Sequence, residues 1–129
     1  MIYTSNFALH RMRRFPGAIS IARTAPLWYA GPTCLILAPS ADLLVAWKAG
    51  RIDKPEYVRR YWAEHRWMGR EYCRRGALDR CILASLLTAL VSPHDPVLLC
   101  WERAGAFCHR RLVADWLRAA GIECEEIAS

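Results

Sequence analysis

"VLLCWERAGAFCHRRLVADWL", residues 97–117, decides the fold. Val97 to Trp101 are apolar or thiol-bearing with no polar alternation, the pattern of a parallel strand covered on both faces rather than of a half-exposed antiparallel one. Further on, Leu112, Val113, Trp116 and Leu117 recur at intervals of three and four, which is one apolar face of a helix over about 108–120. A buried strand that runs through a short loop into an amphipathic helix is a unit of an α/β fold. The connection needs only a turn and a cap, yet it carries Cys100, Glu102, Arg103, Cys108, His109, Arg110 and Arg111. That surplus of reactive side chains marks a candidate site.

Working outward, "MIYTSNFA" and "AISIAR" are short strand patterns, each ending in polar residues: Ser5 and Asn6 after the first, Arg23 after the second. The Pro- and Gly-punctuated stretch that follows contains an expected extended piece at "TCLIL". Ser40 is an N-cap for "ADLLVAWKA", which Gly50 stops. Asp53 with Glu56 three residues later makes a capping box for a second helix reaching Gly69, and a third helix spans about 76–91 with an apolar surface wide enough for burial on more than one side. The closing "IECEEIAS" alternates like an edge strand. No linker or repeat divides the chain. The expected fold is therefore α/β: a single domain over 1–129, a Rossmann-like three-layer sandwich with a mainly parallel sheet.

Apolar residues make up 54% of the 129, which argues against disorder, and no apolar run approaches the roughly 20 residues of a membrane helix. The opening "MIYTSNFALHRMRRF" has no continuous apolar core after a basic end, so a cytoplasmic location without membrane association is expected. Six cysteines (34, 73, 81, 100, 108, 124) are few for a disulfide scaffold and are expected as reduced thiols. The net charge of +6 comes from sixteen arginines and two lysines. Guanidinium suits bidentate contact with phosphate or carboxylate, although Arg-rich helix faces are also simply solvated. The runs at Arg11, Arg13, Arg14 and at Arg74, Arg75 leave nucleic acid open as a partner, but the aromatic residues do not form the pattern of an RNA-binding sheet.

In open α/β sheets ligands collect where strands end and helices begin, and the 102–110 loop is such a place. Ser5, Asn6 and Arg23 follow strands too and could converge there. On the last helix His109 precedes Val113 by four and points to the buried side, where it either serves chemistry or caps the loop. Arg111 precedes Asp115 by four, which makes it the surface ion-pair residue and leaves Arg110 to face a ligand. Cys108, at a helix N-terminus beside arginines, is the thiol expected to ionise, or else an inert packing residue. Glu102 is a proton-transfer candidate or an ion-pair partner of Arg103.

Spacing tests other chemistries. A cysteine phosphatase loop built on Cys100 needs an arginine where Ala106 stands, and that reading fails. Cys100, Cys108 and His109 lack the short-spaced pairs of a structural zinc site, so no metal is expected, though a redox or metal role for these three is a third possibility. Gly-rich phosphate and dinucleotide motifs are absent, and no cofactor is implied.

"LLCWERAGAFCHRRLVADWLRAAGIECEEI", with "TSNF", "ISIAR" and "LAPSADLLVAWKAGRIDKPEYVRRYWAE" upstream, resembles the bacterial domain-of-unknown-function 488 family, in which a strand ends Leu-Leu-Cys, a Glu follows closely and Cys-His-Arg opens the last helix. The Cys-His-Arg element falls here at Cys108, His109 and Arg110. Members often carry an acidic residue two positions before the Arg of the second strand, and this chain has Ile21 there. The resemblance implies a compact α/β fold and supplies no activity. The functional expectation is a strand-end pocket for a phosphate- or carboxylate-bearing small molecule, such as a nucleotide or nucleic-acid component, with a possible enzymatic action on it. In that pocket Arg23 and Arg110 hold the anion, Ser5 and Asn6 orient the ligand, and Glu102, His109 and Cys108 are catalytic candidates. The alternative is a non-catalytic module that binds nucleic acid or protein through its arginine-rich face.

Overall fold

The structure, a computed structural model, describes residues 1–65 and 73–129, with side chains of the second stretch described from 80 onward. The end of the expected second helix at 66–69 and the side chains of Cys73, Arg74 and Arg75 lie outside what is described. Among the described residues the sheet has four strands, β1 (Ile2–Asn6), β2 (Ala18–Ser20), β3 (Val97–Cys100) and β4 (Cys124–Glu126), in the order β2-β3-β1-β4. Every pairing is parallel. β3 lies between β2 and β1, and all four of its residues are buried, as its unbroken apolar pattern requires. β4 is one of the two edge strands and alternates as the sequence led one to expect.

Among the described residues five α-helices accompany the sheet: α1 (Phe7–Arg13), α2 (Ala41–Lys48), α3 (Lys54–Glu64), α4 (Cys73–Val91) and α5 (His109–Arg118). On one face Ile2, Ile19 and Leu98 pack against Leu43 of α2, Tyr57 and Tyr61 of α3, Leu83 and Leu87 of α4, and the Leu112, Val113, Trp116 and Leu117 stripe of α5. On the other face Phe7 of α1 joins Ala18, Val97 and Leu99, with Tyr3, Phe15 and Tyr29 packed against them. Helix, sheet and a mixed helix-loop cover make the expected α/β sandwich.

The caps follow the sequence. Ser40 Oγ accepts from the Leu43 N–H at 3.1 Å and Asp53 Oδ1 from the Glu56 N–H at 2.9 Å. Glu56 leaves the capping box half made, because its carboxylate turns to Arg59 and Arg60 instead. Gly121, at φ 80°, makes the left-handed turn that returns the chain from α5 to β4.

Three expectations change. The first strand stops at Asn6 and a seven-residue helix follows at once. The "TCLIL" piece forms one isolated bridge, Thr33 to Ser20, and then a 3-10 turn over Leu35–Leu37 rather than an extended strand. Helix α4 buries Leu83, Leu87 and Val91, while Ile82, Leu86 and Leu90 stay exposed, so only one side is covered among the described residues.

Candidate functional site

The site starts where β3 ends. Cys100 closes the strand, residues 101–107 cross the edge of the sheet, and Cys108 is the N-cap of α5 in an extended conformation. This brings the two thiols together, Sγ to Sγ at 2.7 Å, although they are eight residues apart. In the first turn of α5, Arg110 points back under the loop and is fully buried. Its Nη1 donates to Cys100 Sγ at 2.9 Å, to Cys108 Sγ at 3.1 Å and to the Glu102 carbonyl at 2.7 Å. Nη2 donates to the Arg103 carbonyl at 3.0 Å, and Nε to Glu126 Oε1 at 2.7 Å. A single guanidinium thus ties together the loop, the thiol pair and the last strand.

The environment splits the two thiols. Burial alone pushes Cys100 up, but the hydrogen bond from Cys108 and the Arg110 charge outweigh it, so its pKa falls below the usual thiol value. Burial, together with the hydrogen bond to and the charge of Cys100, drives Cys108 far upward. Of the two, Cys100 is the thiol favoured to ionise and Cys108 the one favoured to keep its proton. This reverses the expectation that the helix N-terminus would ionise Cys108. A charge on Cys100 already satisfies the guanidinium, and two adjacent buried anions cannot both form.

His109 is buried, and its Nε2 lies 2.7 Å from the Ile21 carbonyl. A carbonyl only accepts, so Nε2 carries the proton and Nδ1 is bare. Burial lowers the pKa of this imidazole to about 4, and the nearby Arg110 and His65 push in the same direction. It is a neutral histidine. Ile21 itself is a fully buried core residue that contributes through its backbone.

A cavity of about 120 Å³ opens beside the thiol pair at the carboxyl ends of β2 and β3. Arg23, Glu102, Cys100, Cys108 and His109 line it, joined by Lys48 from α2 and by Trp47, Tyr57 and Trp101. Arg23 is exposed at the mouth, where its Nε donates to the Pro39 carbonyl at 2.9 Å and leaves the rest of the fork open. Tyr57 is buried among the aromatic rings of Trp47, Tyr61 and Phe107, and burial, then the two thiols, raises its hydroxyl far above the ordinary phenol value. Its hydroxyl stays a proton donor.

The structure brings together Arg23, Glu102, Cys108 and His109 of the expected residues and sets the others apart. Ser5 is fully buried and donates from Oγ to the Ile127 carbonyl at 2.8 Å. Asn6 Oδ1 accepts from the Leu9 N–H at 2.9 Å as the N-cap of α1. Both are engaged in holding neighbouring chain, and neither lines the cavity. Arg110 does not line it either, because its fork is turned inward. The Arg111–Asp115 pair does not form: Arg111 Nη2 lies 3.6 Å from Glu126 Oε2, and Asp115 is 3.1 Å from Arg118 Nη1. Lys48 and Tyr57 went unnoticed in the sequence. The only signal for Lys48 was its place in the last turn of a helix whose cap and stop were both legible.

Cys100, Cys108 and His109 also place their donor atoms within 4.8 Å of one another, the spacing of a metal-ligand set. The Arg110 cation, however, already lies against both sulfurs, where it would repel a divalent ion. The residues fit a thiol pair with a built-in counter-cation better than a metal cage.

A family model described as "Active DUF488-N3 subclade" matches residues 5–121. No curated protein and no solved structure matches the chain.

Proposed function

The chain belongs to the DUF488 family, and from that premise we propose that its strand-end cavity binds a phosphate- or carboxylate-bearing small molecule, a nucleotide or nucleic-acid component, and acts on it. The observation that carries this reading is the convergence of two unneutralised side-chain cations, Arg23 and Lys48, with the Glu102 carboxylate around one cavity at the carboxyl ends of parallel strands. Arg23 and Lys48 hold the anion at the mouth, taking the place first expected of Arg110. Glu102 transfers the proton, since it lines the cavity and neutral His109 has its one N–H engaged on Ile21. Trp101, half exposed at the rim, offers a flat face to a base. The enclosed 120 Å³ holds a phosphate or a sugar-sized group but not a whole nucleotide, whose remainder lies in the open mouth. The description of the matching family model as an active subclade is in keeping with a site that acts on what it binds.

The competing reading, a basic surface for nucleic acid, draws on the α1 arginines, where Arg11 lies 5.5 Å over the Trp28 ring. Among the described residues outside α1, Arg59 and Arg60 share Glu56, Arg111 pairs with Glu126 and Arg118 with Asp115, which offsets part of the arginine charge there. Calorimetric titration with AMP, with inorganic phosphate as control, separates the two. The pocket reading expects AMP binding that Arg23→Ala weakens by about 1.5 to 3 kcal/mol, as for a hydrogen bond to a charged group. Binding that is unchanged by Arg23→Ala and Lys48→Ala, or no binding at all, contradicts it.

A further inference from the structure

The thiol pair is more than a wall of that cavity. Cys100 and Cys108 lie 2.7 Å apart on the cavity side of the loop, with a fully buried arginine donating to both sulfurs. A disulfide needs Sγ to Sγ of about 2.05 Å, so bond formation asks for a small contraction and no refolding. The cavity that Cys100 and Cys108 line is large enough for a few water-sized molecules and too small for a protein or glutathione disulfide. We propose that Cys100 and Cys108 form a redox-active pair that a small hydroperoxide, entering the strand-end cavity, converts to a disulfide. This inference does not rest on the anion reading, because it requires only that peroxide reach the sulfurs.

The chemistry balances within the pair. The Cys100 sulfur attacks one oxygen of hydrogen peroxide, the O–O bond breaks, and Cys100 becomes a sulfenic acid. The leaving hydroxide takes the Cys108 proton and departs as water, which turns Cys108 into the second nucleophile. Cys108 then attacks the sulfenic sulfur, the S–S bond forms, and the expelled hydroxide is protonated by solvent. One peroxide is reduced to two waters and two thiols are oxidised. An external dithiol reverses the change by thiol–disulfide exchange once the loop opens. Arg110 serves as a positioning residue: it keeps both sulfurs on one cation and offsets the charge that passes from one to the other. A low-pKa thiol poised beside a resolving thiol is the arrangement that peroxide-sensing chemistry requires.

The test treats the full reduced chain with one equivalent of hydrogen peroxide at pH 7, blocks remaining thiols by alkylation, and maps peptides without reduction. Trypsin cuts after Arg103, between the two cysteines, and fragmentation of the linked peptides distinguishes Cys100 from Cys81. The proposal expects a Cys100–Cys108 link formed on the order of tenfold faster than free cysteine oxidises in the same solution, since free cysteine is only a few per cent ionised at that pH. Dithiothreitol should restore both thiols. In Cys108→Ser, dimedone should trap a sulfenic acid at Cys100. An unreacted pair in a chain whose exposed Cys81 is oxidised overturns the proposal, and so does a link from Cys100 to any other cysteine. Should Cys108→Ser fail to fold, the measurement on the unaltered chain decides alone.

Discussion

Two neighbouring strand ends, in register and pointing the same way, have opposite fates. Asn6 at the end of β1 pairs with Cys100 at the end of β3, so both sit on the carboxyl edge where α/β sheets bind ligands. After β1 the helix begins at the next residue, and Asn6 and Ser5 are used up in capping α1 and holding Ile127. After β3 the chain spends seven residues in a loop before Cys108 caps α5, and that loop leaves room for a cavity. A strand end is thus a place for a site only when the connection that follows leaves its polar groups free. The same contrast separates two arginines: Arg110 is consumed by the loop it organises, while Arg23 keeps most of its fork open at the mouth.

The contrast breaks most visibly at Arg110. Arg110→Ala removes the guanidinium that donates to both buried sulfurs and to Glu126 and frees two loop carbonyls, so it should destabilise the chain by about 3 to 5 kcal/mol, as for the loss of one member of a buried charge pair. Denaturant titration measures this, and a change below 1 kcal/mol would place Arg110 among the dispensable surface arginines. The next effect is a pH dependence centred on His109. Its folded pKa of about 4 lies below the unfolded 6.5, so its contribution is fully present above pH 6.5 and is lost as pH falls toward 4. The loss is about 3 kcal/mol, and Glu126, whose pKa the Arg110 pair lowers, adds to it in the same direction at still lower pH. His109→Gln, which can keep an N–H on the Ile21 carbonyl, should flatten the slope between pH 6.5 and 4. An unaltered slope would assign the effect to other groups. The smallest effect sharpens the β1 side: Asn6→Ala should cost about 1 kcal/mol for a lost N-cap and leave AMP affinity unchanged.

The sequence carried the parallel sheet because its signals are local. An unalternating "VLLC", two capped helices and the α5 stripe each announce themselves within a dozen residues. Helix α1 was hidden because "FALHRMR" buries only Phe7 and so has no apolar period, although Asn6 before it was a readable cap. For Arg110 and Arg111, helical spacing assigned one to a ligand and the other to Asp115, yet both reach Glu126, because spacing gives a direction and not a partner. Whether an inward arginine meets a ligand or a carbonyl depends on how the 101–107 loop closes. Lys48 and Tyr57 reach the cavity only through the packing of α2 and α3 against the sheet, a long-range contact that no window of sequence contains.

The central claim is that the end of β3, not the end of β1 or the α1 arginines, receives the ligand. Backbone amide chemical shifts recorded during titration with AMP test it directly. The account predicts the largest changes at Arg23 and Thr24, around Lys48, and from Trp101 through His109, with residues 5–14 unmoved. Changes concentrated at Arg11, Arg13 and Arg14 on α1, with the cavity residues silent, would contradict it.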